Sequence, residues 1–233
     1  MGAAAGTLAA AILGETLRVS SSARVILASA PSQDELLATL TGASVDWGRV
    51  TIFHMDEYVG LSADHPASFR RYQRERFLSR VRPAAFHGIA GEAADAQAEC
   101  ERYAALLAEA PIDLVCLGIG ENGHLAFNDP HVADFTDPHP VKLVELDQAC
   151  RQQQVNDRAF STIEAVPTHA ITLTIPTLLA AHALVCAVPG PRKAQAVHDA
   201  LRREICPACP ASVLRTHANA RLLLDEPSAA LLG

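Results

Sequence analysis

Residues 112–119 read Ile-Asp-Leu-Val-Cys-Leu-Gly-Ile, an almost unbroken apolar run. A strand wetted on one face alternates apolar and polar residues, because successive side chains point to opposite sides. A run without that alternation needs cover on both faces, as a strand inside a parallel sheet has when helices lie above and below it. Further β-rich runs at residues 25–29, 50–54, 141–146, 183–188 and 220–224 are spaced by stretches of helical character at 33–40, 67–80, 92–110, 175–181 and 192–203. The Ala-rich opening up to Leu17 reads as another helix. This β–α alternation predicts an α/β fold: one domain over residues 1–233, doubly wound and Rossmann-like, its mainly parallel sheet carrying helices on both faces. No internal repeat or low-complexity linker divides it.

Hydrophobic residues make up 49% of the chain and charged residues 19%, which excludes disorder as the main state. Lys and Arg number 19 against 26 Asp and Glu, so no basic face for nucleic acid is expected. No segment has the apolar length of a membrane span, and the opening helix lacks the basic start of a signal peptide. The six cysteines are scattered, with Cys116 and Cys186 inside strand-like runs, the pattern of buried reduced thiols in a cytoplasmic protein. Cys206-Pro-Ala-Cys209 has the CxxC spacing. There is no second such pair, and His198 and His217 complete no zinc pattern, so no metal is expected.

The polar residues are placed informatively. Ser29-Ala-Pro-Ser32, Met55-Asp-Glu-Tyr58, Gly118-Ile-Gly-Glu-Asn-Gly-His124 and Pro189-Gly-Pro-Arg-Lys193 each follow a predicted strand. Open α/β sheets bind ligands at the carboxyl ends of their strands, so these four segments are expected around one crevice. Gly118, Gly120 and Gly123 permit sharp turns and close approach. His124 can give and take a proton near neutral pH, with Asp129 or Glu121 to orient it. Asp56 and Glu57 offer adjacent carboxylates, one of which can serve as general base. Ser29, Ser32 and Lys193 suit a phosphate. Plainer readings compete: Asp56, Glu57 and Ser32 as residues starting helices, and Arg70, Arg71, Arg74, Arg76 and Arg80 as a solvated helix face. The Pro-, Asp- and His-rich stretch 129–140 is the best candidate for a mobile loop or lid.

Met55-Asp-Glu-Tyr-Val-Gly-Leu61 and Leu117-Gly-Ile-Gly-Glu-Asn-Gly-His-Leu-Ala-Phe-Asn-Asp-Pro130 resemble glucosamine-6-phosphate deaminases, which share a superfamily with 6-phosphogluconolactonases. The resemblance continues through His65-Pro-Ala-Ser68, Val166-Pro-Thr-His-Ala-Ile-Thr172, Gly190-Pro-Arg-Lys193 and Leu224-Asp-Glu-Pro-Ser228. It implies isomerisation and deamination of a hexosamine 6-phosphate to fructose 6-phosphate and ammonia, without a cofactor. Asp56 would carry the proton between C2 and C1, and His124 would open the sugar ring, oriented by Asn122 and Asp129. The substrate's phosphate would be bound by Ser29, Ala30, Ser32, Gly120 and Lys193, with Arg151 or Arg158 assisting. The family's phosphate turn is usually Thr-Gly-Gly-Thr-Pro, and its acid before the proline is usually Glu. Here these are Ser29-Ala-Pro-Ser32 and Asp129. A lactonase and a weakly active sugar-phosphate sensor stay open as alternatives, as does homo-oligomerisation.

Overall fold

The computed structural model describes residues 1–233. Its strands are β1 (Ala23–Leu27), β2 (Val50–His54), β3 (Asp56–Tyr58), β4 (Ala85–His87), β5 (Leu114–Leu117), β6 (Val141–Glu145), β7 (His169–Leu173), β8 (Ala183–Val188) and β9 (Ala220–Leu224). The helices are α1 (Gly2–Val19), α2 (Asp34–Thr41), α3 (Phe69–Gln73), α4 (Ala96–Ala108), α5 (Gln148–Asn156), α6 (Ile175–Leu179) and α7 (Ala194–Arg202). Six strands form a parallel sheet in the order β4-β2-β1-β5-β8-β9. The chain runs outward from β1 to β4, then returns to β5 and continues the other way. The order therefore reverses between β1 and β5, where such sheets open a binding crevice.

Both faces are covered, as the apolar run at 112–119 requires. Val25, Leu27, Leu114 and Cys116 pack into one core with α1 and α2. Ile26, Val115 and Leu117 face the other way, into a second core with α4, α6 and α7. Adjacent residues of one strand feed opposite cores because the side-chain period is two. No helix is long and apolar enough to cross a membrane.

One strand expectation is corrected. Residues 141–145 form a strand, but it lies outside the parallel sheet, in a three-stranded antiparallel sheet ordered β3-β7-β6. Its interspersed Lys142 and Glu145 fit a sheet with one face toward water. The expected helix over 67–80 is shorter. Ser68 caps α3, which gives way at Arg74–Leu78 to a wider π turn. The helix expected over 92–110 begins only at Ala96, where the Asp95 carboxylate accepts from Gln97 N (2.9 Å) and Ala98 N (3.0 Å). Residues 129–140 form an irregular loop fastened by Lys142, whose Nζ donates to Val132 O at 2.6 Å and to Asp137 at 2.8 Å.

Candidate active site

Strand register sets the rim of the site. Leu27 pairs with His54 on one side and with Cys116 on the other, so β1, β2 and β5 end level. Leu117 pairs with Cys186 near the end of β8. The loops after these four strands therefore leave one edge of the sheet together.

Asp56 and Glu57 are strand residues, which corrects the reading of them as the start of a helix. Strand alternation sends the two carboxylates to opposite sides. Glu57 is fully buried and accepts from Ser68 Oγ (2.8 Å), Tyr58 N (3.0 Å), Phe69 N (3.1 Å), Arg70 N (3.0 Å) and Arg70 Nε (3.3 Å). It is an anchor that holds the first turn of α3. Arg70, expected on a solvated face, is turned inward to Glu57 and pairs also with Glu92. Asp56 takes no part in this network, and only 7% of its surface is exposed. Burial, reinforced by the neighbouring Glu57 charge, pushes its carboxyl well above the usual carboxylate range.

The His124 loop is built around a short polar chain. Asn122 Oδ1 accepts from His124 N at 3.1 Å and lies 2.8 Å from His124 Nδ1, while Asn122 Nδ2 donates to Asp129 Oδ1 at 2.7 Å. Asp129 Oδ1 is itself 3.1 Å from His124 Nδ1. With Nδ1 so engaged, Nε2 is the nitrogen left for chemistry; this tautomer follows from the network. Burial would raise the Asp129 carboxyl. The hydrogen bonds and charge of His124, with Asn122 and the Cys150 thiol, outweigh that and hold it at about 2.

Gly120 is required where it stands, because a Cβ there would collide with the imidazole ring of His124. Gly123 has φ +86°, and a Cβ there would collide with Cys209 Sγ. Beyond the histidine, Asn128 Nδ2 donates to Leu125 O (2.9 Å) and Leu173 O (2.8 Å), and Phe127 N donates to Thr172 Oγ1 (3.1 Å). Thr172 is the cross-strand partner of Asp56. The antiparallel sheet thus brings Asp56 to within one strand spacing of a residue that fastens the His124 loop.

Ser29 is buried at the end of β1, and its hydroxyl accepts from Gln73 Nε2 at 2.9 Å. Ala30 O accepts from Tyr72 OH at 2.7 Å. Ser32 lies inside a 3-10 turn, Pro31–Gln33, with no capping bond to α2, which corrects its reading as an N-cap. Its hydroxyl accepts from Gln33 Nε2 (3.2 Å), which also reaches Ala187 O in β8 at 3.1 Å and so ties this turn to the next loop. Lys193 ends the turn Pro191–Lys193 ahead of α7, half-buried, its ammonium lowered by burial. That turn starts at Gly190, with φ +92°, whose N–H is held by both Asp225 oxygens at 3.0 Å.

The two arginine alternatives separate. Arg151 Nη2 donates to Ile163 O at 2.6 Å and to Val166 O at 3.2 Å, so its guanidinium pins the 163–166 turn. These two bonds use Nη2 alone, and the Arg151 Nε is buried with no hydrogen-bond partner. Arg158 is exposed on a residue with φ +61°. His54, two residues before Asp56, is buried and accepts from Ile89 N at 2.8 Å; burial lowers its imidazole to about 3 and keeps it neutral. Sequence reasoning missed the clamps made by Glu57, Gln73, Thr172 and Asn128, and also Arg192, which pairs with Glu121 and Asp157. No local pattern marks these residues, because their partners are distant in the chain. Glu57, Asn128, Thr172, Arg192 and Asp225 stood inside the matched motifs without their partners being readable there, and Gln73 stood outside them.

Residues 1–223 match the family model described as glucosamine-6-phosphate isomerases/6-phosphogluconolactonase. The chain is 37% identical over 206 residues to a glucosamine-6-phosphate deaminase of Listeria innocua, covering 88% of this chain and 86% of that one. It is 39% identical over 188 residues to the glucosamine-6-phosphate deaminase of Exiguobacterium sibiricum, covering 81% and 73%. Among solved structures, a monomeric glucosamine-6-phosphate deaminase superposes with a TM-score of 0.90 at 31% identity, over 99% of this chain and 97% of that one. A 6-phosphogluconolactonase from Thermotoga maritima reaches a TM-score of 0.76 at 19% identity, over 94% and 92%, a likeness of fold.

Proposed function

The chain belongs to the family of glucosamine-6-phosphate isomerases and 6-phosphogluconolactonases, and from that membership we propose that it is an enzyme, a glucosamine-6-phosphate deaminase. The reaction turns the amino-sugar phosphate into fructose 6-phosphate and ammonia. It is redox-balanced within the sugar, since C1 gains the hydrogen that C2 loses, so the protein has to move only protons.

His124, through Nε2, passes a proton to the ring oxygen as the pyranose opens. Asn122 and Asp129 keep that nitrogen turned outward and Asp129 ionised. Asp56 then takes the proton from C2 and returns it to C1 by way of an enolamine. Water adds to the resulting C2 imine, and the carbinolamine expels ammonia. The phosphate is bound by Lys193, Arg158, the Ser32 hydroxyl and the turn at 29–32. Pro31 lacks an N–H, so side-chain groups carry more of that binding than backbone amides do. Fixing the phosphate end holds C1 and C2 against Asp56, which is how a distant anchor lowers the barrier. The cytoplasm, where thiols stay reduced, is the compartment this reading assigns.

The observation that carries the proposal is Asp56: a buried carboxylate without a hydrogen-bonded partner, one strand spacing from the residue that fastens the His124 loop. Purified protein given glucosamine 6-phosphate is expected to release ammonia. Asp56→Asn is expected to lower kcat by about 10²–10⁴-fold with an unchanged circular dichroism spectrum. No ammonia from any hexosamine 6-phosphate would overturn the proposal. Hydrolysis of 6-phosphogluconolactone instead would favour the lactonase, and binding without turnover the sensor.

A further inference from the structure

Arg192 precedes Lys193 in the turn Pro191–Lys193 and reaches two other loops at once. Its Nη1 lies 2.8 Å from Glu121, three residues before His124, and its Nη2 lies 2.6 Å from Asp157, one residue before Arg158. The Glu121 backbone is fixed in turn by Gln153 Oε1, which accepts from its N–H at 3.2 Å. Asp157 accepts a hydrogen bond from Nη2 and Glu121 pairs in charge with Nη1, so the two carboxylates meet different nitrogens of the planar guanidinium, a spread that a lysine with its single point charge could not reproduce. The arginine is 56% exposed, and exposed ion pairs contribute little to folding stability. A purely structural role therefore explains this arrangement poorly. What the bridge does join is the three loops that carry His124, Arg158 and Lys193.

We propose that Arg192 is a positioning residue for phosphate recognition: it clasps these three loops together and cancels two carboxylate charges that would otherwise face the incoming phosphate dianion. The inference deepens the deaminase reading and rests on it for the identity of the substrate. Two carboxylates beside a phosphate site are a liability unless neutralised, since a dianion meets each with doubled repulsion. Arg192 removes that repulsion while leaving the Lys193 ammonium, which takes no part in the bridge, free for the ligand.

The test compares wild type with Arg192→Gln, Arg192→Lys and the triple variant Arg192→Gln/Glu121→Gln/Asp157→Asn. Ammonia release from glucosamine 6-phosphate gives KM and kcat, and calorimetric titration with inorganic phosphate gives affinity without turnover. Arg192→Gln is expected to raise KM and the phosphate Kd about tenfold at low ionic strength, and about threefold near 0.15 M salt, where screening extends about 8 Å. The loss falls on KM more than on kcat, and the melting temperature stays close to that of wild type. Arg192→Lys is expected to recover only part of the affinity. The triple variant, lacking the carboxylates as well, is expected to bind phosphate within about threefold of wild type at low salt. Unchanged phosphate affinity in Arg192→Gln would overturn the proposal. So would a triple variant as weak as the single one, because Arg192 would then hold the phosphate itself. Wild type that binds phosphate but releases no ammonia would remove the deaminase reading and leave the clasp to be judged by the affinities alone.

Discussion

Gly120→Ala tests the active site through a single methyl group. The His124 ring rests on the Cα of Gly120, and an added Cβ would overlap three atoms of the ring at once, Cε1, Nδ1 and Nε2. The ring cannot yield freely: its Nδ1 is held at 2.8 Å from Asn122 and 3.1 Å from Asp129, and only 12% of the side chain is exposed. Restoring an ordinary contact of about 3.5 Å needs a shift of more than about 1 Å, enough to break both interactions. A displacement of that size is expected to lower kcat by about 10²-fold, which corresponds to about 2.7 kcal/mol of barrier. Overpacking adds a loss of about 1–3 kcal/mol in stability, or roughly 2–10 °C in melting temperature for a chain of this size. Ammonia release and thermal unfolding measure the two effects separately. Gly14→Ala is the control: it lies in α1 with nothing within 4 Å of the added methyl. It should gain about 0.5–1 kcal/mol and leave turnover alone. A Gly120→Ala enzyme with wild-type kcat would refute the placement of the His124 ring as the working group.

Glu57→Gln removes the charge that faces Arg70 and leaves an amide that cannot accept from all five donors. It is expected to cost about 2–4 kcal/mol, read as a lower urea midpoint at unchanged slope, and a loss below about 1 kcal/mol would show that Glu57 is no anchor. Asp129 predicts an acid limb in the stability curve. Its folded carboxyl is held at about 2, below an unfolded value of about 3.9. Its contribution, about 2.6 kcal/mol, is therefore full above about pH 5 and is lost as the pH falls through 4 toward 2. Asp129→Asn should flatten that part of the curve relative to wild type, and equal slopes in the two proteins would contradict the assignment.

The parallel sheet was legible because burial leaves a compositional mark. A strand covered twice has no room for polar alternation, and residues 112–119 show it. The second sheet was not legible as a sheet, since β3 spans three residues, too few to display a period, and nothing local separates β6 from the strands of the parallel sheet. The pairing of β3 with β7 is tertiary, as in Asp56 with Thr172. Alternation also implies that Asp56 and Glu57 point apart, but which of them meets the crevice depends on where Ser68 and Arg70 lie, and local sequence does not carry that. Arg70 looked solvated for the same reason. Its neighbours Arg74 and Arg76 do face water, and only the buried Glu57 distinguishes it. Arg151 and Arg158 were equivalent as positive charges in the sequence, and only the fold sets them apart, Arg151 reaching the 163–166 turn through Nη2 and Arg158 lying exposed.

Asp56 and Asp129 are the same functional group, both withdrawn from water, yet the fold drives them in opposite directions. Asp129 meets His124 and Asn122 and is held at about 2, so it keeps its charge throughout the cycle and can only orient. Asp56 meets no hydrogen-bond donor and has Glu57 beside it, so it holds a proton readily. That division suits proton transfer between adjacent carbons: one carboxyl held low, which keeps its charge near neutral pH, and one raised. Burial that favours the neutral carboxyl works against taking a proton from C2, however. The missing factor is positive charge near Asp56, and the substrate brings it, because an amino sugar carries an ammonium on C2. Binding the phosphate at Lys193 then fixes that ammonium against Asp56, favours its ionised form, and readies the base only when the amine is in position. On this argument a sugar phosphate with a hydroxyl at C2 should occupy the site yet isomerise far more slowly, for it brings no positive charge to lower the raised Asp56 carboxyl.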